Sequence, residues 1–315
     1  MLASGKPFGI TMTTKTTKTI IRIDNAPPRH WVGDGFHVHS MFSYDRDAHL
    51  YSPFLMLDYG APYLCEPRDV ANGATPRGVG SHPHRGFETV TIAYSGEVAH
   101  RDSSGGGGII GVGDVQWMTA GSGLVHDEFH SPAFSQAGGE MHMVQLWVNL
   151  PAKDKMTKPG YQAITNSDIV QAKLDKGSVR VIAGSLAGHG LQTNTPLKGA
   201  ASTFTPMNVW DVRIKAGQTM SLPQPEGWTT LVLVQSGTVT VNDSKPAGAA
   251  QLVMLSRNGT DVAITASADT QLLLLAGEPI NEPVVGYGPF VMNTEQEIRQ
   301  AFIDFNAGKF GQIAK

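Results

Sequence analysis

Two stretches of short, apolar-alternating runs, each broken by clusters of glycine, proline, aspartate and serine, restrict this chain to a β-sandwich or β-barrel architecture and exclude βαβ units. In the first stretch, from about residue 20 to 148, the alternation is clear over 89–94, 114–118 and 141–148. In the second, from 203 to 276, it returns over 207–214, 229–234, 238–241, 251–255 and 271–275. The 36 glycines and 19 prolines supply the tight turns such an architecture needs. Both stretches run strand, Ser-Gly turn, strand, with Ser95-Gly96 in one and Ser236-Gly237 in the other. That repetition within 315 residues predicts a duplicated barrel. The divisions expected are a loose tail over 1–19 with Met12 as an alternative start, a barrel over 20–150, a barrel over 151–290 opening on a poorly patterned linker, and a terminal helix over 291–315. For that helix Thr294 is the cap, Glu297 completes a capping box, and Ile298, Ala301, Phe302 and Phe305 form an apolar stripe that must pack on a barrel.

Charge narrows the function classes. There are 24 Lys and Arg against 27 Asp and Glu, and no long basic run, so direct, sequence-specific nucleic-acid binding through phosphates is not expected. No run approaches the roughly 18 apolar residues of a membrane span, and residues 1–19 lack the apolar core of a signal peptide. A cytoplasmic protein without a membrane partner is expected. Cys65, alone, can form neither an internal disulfide nor a thiolate cage, and is read as a plain buried residue. The run 103–108, SSGGGG, lacks the Gly-Lys-Ser/Thr that a phosphate cradle needs and is a flexible connection.

All 11 histidines stand at or before His189, ten of them at or before His142, so only the first barrel can hold a histidine site. Two pairs stand out, His82 with His84 and His126 with Glu128. On a strand, residues i and i+2 leave the same face. Two neighbouring strands would then turn three imidazoles and one carboxylate toward one point inside the barrel. That set suits Fe, Ni, Cu, Mn or Zn better than Ca or Mg, and leaves positions open on an ion that takes five or six ligands. His37 and His39 have the same spacing but no second pair downstream, and read as structural. Trp117 and Trp147 read as core or mouth lining, Met118, Met141 and Met143 as core filling, His130 and His142 as outside candidates for the cavity, and His100 and His189 as surface residues beside turns.

At these residues the chain resembles the pirin family of the cupin superfamily. The resemblance rests on SHPHRGFETVTIAYSGEVAHRDSSG from residue 81, GDVQWMTAGSGLVHDEF from 113, QLWVNLP from 145, PFLMLDYG from 53 and GEPINEPVVGYGPFVMNTEQEIRQAFIDF from 277. It implies an all-β fold of two cupin barrels packed face to face, with one metal, usually Fe(II), in the N-terminal barrel only. The implied ligands are His82, His84, His126 and Glu128. The general cupin pattern places a Glu four residues after the second His, where Glu88 stands; the resemblance favours Glu128 and leaves Glu88 to orient a ligand histidine. Some pirins open a flavonol ring as quercetin 2,3-dioxygenases, taking O2 and releasing CO, which implies a small planar phenolic substrate and Glu128 as both ligand and proton acceptor. Other family members are regulatory proteins with protein partners; that alternative calls for a charged patch at the metal mouth, for which Arg85, Arg101 and Asp102 are the candidates.

Overall fold

The alternation resolves into two β-sandwiches of one plan in the computed structural model, which describes residues 16–188 and 195–314. In the N-terminal sandwich, a seven-stranded antiparallel sheet runs in the order Gly160–Ile164, Val115–Thr119, Phe87–Ser95, Gly139–Asn149, Phe54–Cys65, Phe36–Ser43, His30–Val32. Facing it is a four-stranded sheet of Gly78–His84, Leu124–His130, Val98–Asp102 and Gly107–Ile110. The C-terminal sandwich repeats both orders. Its large sheet is Ile20–Asn25, Gln251–Leu255, Thr229–Ser236, Thr270–Gly277, Met207–Ile214, Gly177–Ala183, Val170–Leu174, and its small one Thr219–Ser221, Ala263–Ala266, Thr238–Val241, Pro246–Gly248. The two Ser-Gly turns occupy matching places, each carrying the chain from the large sheet to the small.

The two large sheets pack on each other, which is the face-to-face arrangement expected. Strand parity explains the seam. Val90, Ile92, Leu146 and Val148 leave one face of the first large sheet and meet Leu231, Leu233, Leu273 and Leu275 of the second, all without exposure. Burying each such side chain contributes roughly 1.5–3 kcal/mol, so the seam binds the halves firmly.

Three expectations about the chain's divisions differ from the structure. Ile20–Asn25 pairs with Gln251–Leu255 and completes the C-terminal sheet, while Gly160–Ile164 pairs with Val115–Thr119 and completes the N-terminal one. An edge strand goes to whichever unpaired edge it can reach, whatever its neighbours in sequence do. The expected linker over 151–195 is therefore strand-bearing in its described part: Gly160–Ile164 belongs to the N-terminal large sheet, and Val170–Leu174 and Gly177–Ala183 to the C-terminal one. The end of the tail is also tied down, because buried Lys18 donates to the carbonyls of Trp228, Ser256 and Arg257. Residues 1–15, with Met12, and His189 lie outside the described residues.

The terminal helix is Glu295–Asn306, capped by the Thr294 hydroxyl, which accepts the Glu297 amide at 3.2 Å. Ile298 and Ala301 are buried in a cluster with Phe290, Met292, Phe310 and Val125, so the helix lies against the strand that carries His126. Two shorter helices, Tyr44–Tyr51 and Pro132–Ala137, escaped the sequence reading because one or two turns show no resolvable period. Among the described residues no helix is long and apolar enough to cross a membrane.

Candidate metal centre

Strand Gly78–His84 pairs antiparallel with Leu124–His130, setting His82 opposite His126. Gly123, at φ +120°, leads into the second strand, and a side chain there would strike the Phe310 ring. The three rings of His82, His84 and His126 crowd together, with centroids 4.2 to 4.9 Å apart. One nitrogen from each lies within 4.8 Å of the others. The outer nitrogens have partners. His82 Nδ1 donates to the Gly80 carbonyl at 2.8 Å and His84 Nδ1 to the Pro289 carbonyl at 3.2 Å. A carbonyl only accepts, so each Nδ1 carries the proton and each Nε2 keeps its lone pair. His126 Nε2 is buried with no hydrogen-bond partner among the described residues. Burial lowers the His84 pKa to about 3, with His82 adding to it, and holds His126 far below the ordinary range. Neutral imidazoles aimed at one point, one of them orphaned, fit a divalent ion.

Glu128 is buried between two amides. Its Oε1 accepts from Gln116 Nε2 and from the Thr91 hydroxyl, and its Oε2 from Gln145 Nε2 at 2.9 Å. A Glu128 oxygen lies within 4.8 Å of nitrogens of His126 and His100, a second group that shares His126 with the first. The structure thus brings the three histidines together and sets Glu128 beside His126, one strand step away. Gln116 and Gln145 were missed by sequence reasoning: they come from two different strands of the opposite sheet, and nothing local marks them.

Other expected positions differ. His100 is not on the surface; it is fully buried, cross-strand from Glu128, and joined to Asp102. Its spacing with Asp102 is the same i, i+2 pattern that singled out the other two pairs, so a signal existed. The charged patch of Arg85, Arg101 and Asp102 does not form. Asp102 is buried, and Arg85 is buried against Asp304 at 2.9 Å with its guanidinium over Phe310. Only Arg101 reaches solvent, paired with Asp127 at 2.6 Å. Burial pushes the Asp102 carboxyl up, but hydrogen bonds from His100, Ser104 and Gly106 outweigh it and hold the group at about 2.

Glu88 does not orient a histidine. The strand Gly78–His84 ends before Gly86, whose φ of +88° breaks the parity that would have aligned positions 82, 84 and 88. On the following strand, Glu88 shares the face of Val90 and Ile92, toward the seam, whereas Thr91 on the other face meets Glu128. Glu88 accepts from the Thr119 hydroxyl at 2.7 Å, and burial raises its pKa to about 7. His130 donates to the Gly35 carbonyl, and His142 lies 4.8 Å from the Tyr94 ring, so neither joins the cluster. His37 stacks on Trp31, and His39 contacts the Pro27 carbonyl. Trp117 fills the seam, while Trp147 stacks on Phe87 and meets His84 edge-on at 5.1 Å. Beside His82 a cleft of about 460 Å³ opens between Ser81, Arg101, Val125, Asp127 and the terminal segment from Phe305 to Ala314.

Comparison with known proteins follows the same division. The family model described as Pirin matches residues 35–148, and that described as Pirin C-terminal cupin domain matches 209–311. A Pseudomonas aeruginosa protein named "Putative quercetin 2,3-dioxygenase" is 49% identical over 93% of this chain and 98% of its own. A Caulobacter vibrioides pirin-like protein is 40% identical over 84% and 89%. A crystal structure titled as quercetin 2,3-dioxygenase from Acinetobacter baumannii superposes with a TM-score of 0.88 at 53% identity, covering 95% of this chain and 100% of that one.

Proposed function

The chain belongs to the pirin family, and from that premise we propose that it is a metal-dependent dioxygenase of the quercetin 2,3-dioxygenase type, opening a flavonol ring with O2 and releasing CO. The observation that carries the reading is the orphaned, buried Nε2 of His126 between two histidines whose Nδ1 atoms are already tied to carbonyls. The names of the Pseudomonas and Acinetobacter relatives supply the substrate class, a small planar phenol.

His82, His84, His126 and Glu128 would hold one ion, Fe(II) first and Ni, Cu, Mn or Zn as alternatives, which would supply a Lewis-acidic centre with open positions. Three neutral imidazoles and one carboxylate leave a divalent ion one charge short of neutrality, which favours a substrate bound as its anion. Glu128 accepts three hydrogen bonds, two at Oε1 and one at Oε2, so one lone pair is left, on Oε2; it would serve in turn to hold the ion and to take the proton of the flavonol 3-hydroxyl. Gln116 and Gln145 hold that carboxylate in one orientation. Trp147 and Phe87 form an apolar wall behind His84 that excludes water from the reacting ring.

The test is quercetin turnover by the Fe(II)-loaded protein under O2, with CO detected. Glu128→Gln should abolish CO release, and a variant that releases CO at the parent rate would contradict the proton-acceptor role. Absence of turnover on any flavonol by the parent, with metal bound, would contradict the activity itself.

A further inference from the structure

We propose that Asp102 and His100 form a buried relay that fixes the tautomer and direction of His126, and thereby positions its Nε2 for the ion. The inference rests on the ligand set proposed above. Asp102 Oδ1 accepts three hydrogen bonds, from the Ser104 amide and hydroxyl at 2.7 Å each and from the Gly106 amide at 3.0 Å. That leaves Oδ2 turned to His100 Nε2 at 3.2 Å, with both side chains wholly buried. A carboxylate offers no proton, so His100 Nε2 must carry it. In the relay His100 Nδ1 is the acceptor, and it lies 3.3 Å from His126 Nδ1. His126 therefore donates from Nδ1, and its orphaned Nε2 is left with a lone pair.

The rest of the site agrees with that direction. Tyr161 stacks on the His100 ring at 4.9 Å and 15°, supporting one face of it. His100 lies near enough to Glu128 and His126 to be mistaken for a ligand, but the relay occupies both of its nitrogens. The backbone does for His82 and His84 what this pair does for His126: each of the three has its outer nitrogen held by an acceptor. His100 and Asp102 are positioning residues and do not touch the substrate.

Asp102→Asn separates this role from simple packing. The Ser104 and Gly106 donors keep the amide oxygen on their side, which turns the amide nitrogen toward His100. His100 Nε2 must then accept, the relay reverses, and the proton moves onto His126 Nε2. Equilibrium Ni²⁺ binding to the full chain should weaken about 10–100-fold in Asp102→Asn, with the metal-free melting temperature little changed. His100→Gln, which can donate to Asp102 and accept from His126, should stay within a few-fold of the parent, with the imidazole count from X-ray absorption of the Ni²⁺ protein still three. Equal affinity in parent and Asp102→Asn would overturn the relay, and so would a count falling to two in His100→Gln. A parent that binds no Ni²⁺ would instead overturn the ligand set beneath it. Should Asp102→Asn not fold, ¹⁵N shifts of the metal-free parent decide: His126 protonated at Nδ1 is the relay, and protonated at Nε2 is its refutation.

Discussion

The N-terminal and C-terminal barrels share a strand order in both their sheets, yet what lies between those sheets is opposite in kind. In the first, the small sheet turns His82, His84, His100, Asp102, His126 and Glu128 into the interior, met by Thr91, Gln116 and Gln145 from the large sheet. In the second, the corresponding strands supply Met220, Val239, Val241, Ile264 and Ala266, met by Val232, Val234, Val253, Leu272 and Leu274. Nearly all of these apolar side chains are completely buried, and their interior is one continuous core. A polar interior costs stability wherever its groups lack partners, and in the first barrel the buried His126 Nε2 is such a group. One backbone plan thus serves as a scaffold in one half and as a site in the other.

Removing apolar bulk should expose that difference most strongly. Ile264→Ala in the C-terminal barrel is expected to cost about 2–5 kcal/mol in denaturant unfolding while leaving bound metal unchanged; a loss of metal would mean the barrels are not separable in role. Glu88, at the seam between them, gives a pH test. Its carboxyl titrates near 7 when folded against an ordinary 4.5, so the folded state keeps a proton that the unfolded state releases. Stability should therefore fall as pH rises from 4.5 to 7 and then level off. Glu88→Gln should remove that fall, gaining on the order of 3 kcal/mol at pH 8 relative to pH 4, and parallel pH profiles would show that the seam does not bury the charge as described.

Metal should act on one barrel only. Saturating the parent with Ni²⁺ at about a hundred times its dissociation constant should add about 2.7 kcal/mol of stability, reversed by a chelator, and a variant lacking His84 should show no gain. The smallest effect belongs to the rim. Arg101 is well exposed, and its pair with Asp127 is worth roughly 0–1 kcal/mol, so Arg101→Ala should barely move the melting temperature, and a shift of several degrees would assign it a structural duty.

The two-barrel plan and the histidine asymmetry could be read from the chain because alternation and i, i+2 spacing are local. The same spacing singled out His82, His84, His126 and Glu128; the structure clusters the first three rings and sets Glu128 beside His126 in a group with His100. Glu88 misled because one positive-φ glycine, Gly86, resets strand parity between it and His84. Gln116, Gln145 and the Pro289 carbonyl could not be foreseen: each reaches the site through pairing or packing across tens to hundreds of residues. The edge strands Ile20–Asn25 and Gly160–Ile164 were misassigned for the same reason, since their partners are chosen by the sheets and not by adjacency.

The most direct test of the asymmetry is metal stoichiometry after anaerobic loading with Fe(II), on the parent and on His126→Ala. The account predicts one ion per chain in the parent, and an affinity in the variant reduced by more than the roughly 100-fold that losing an outer partner costs. An ion retained at parent affinity in His126→Ala, or none bound by the parent, would contradict it.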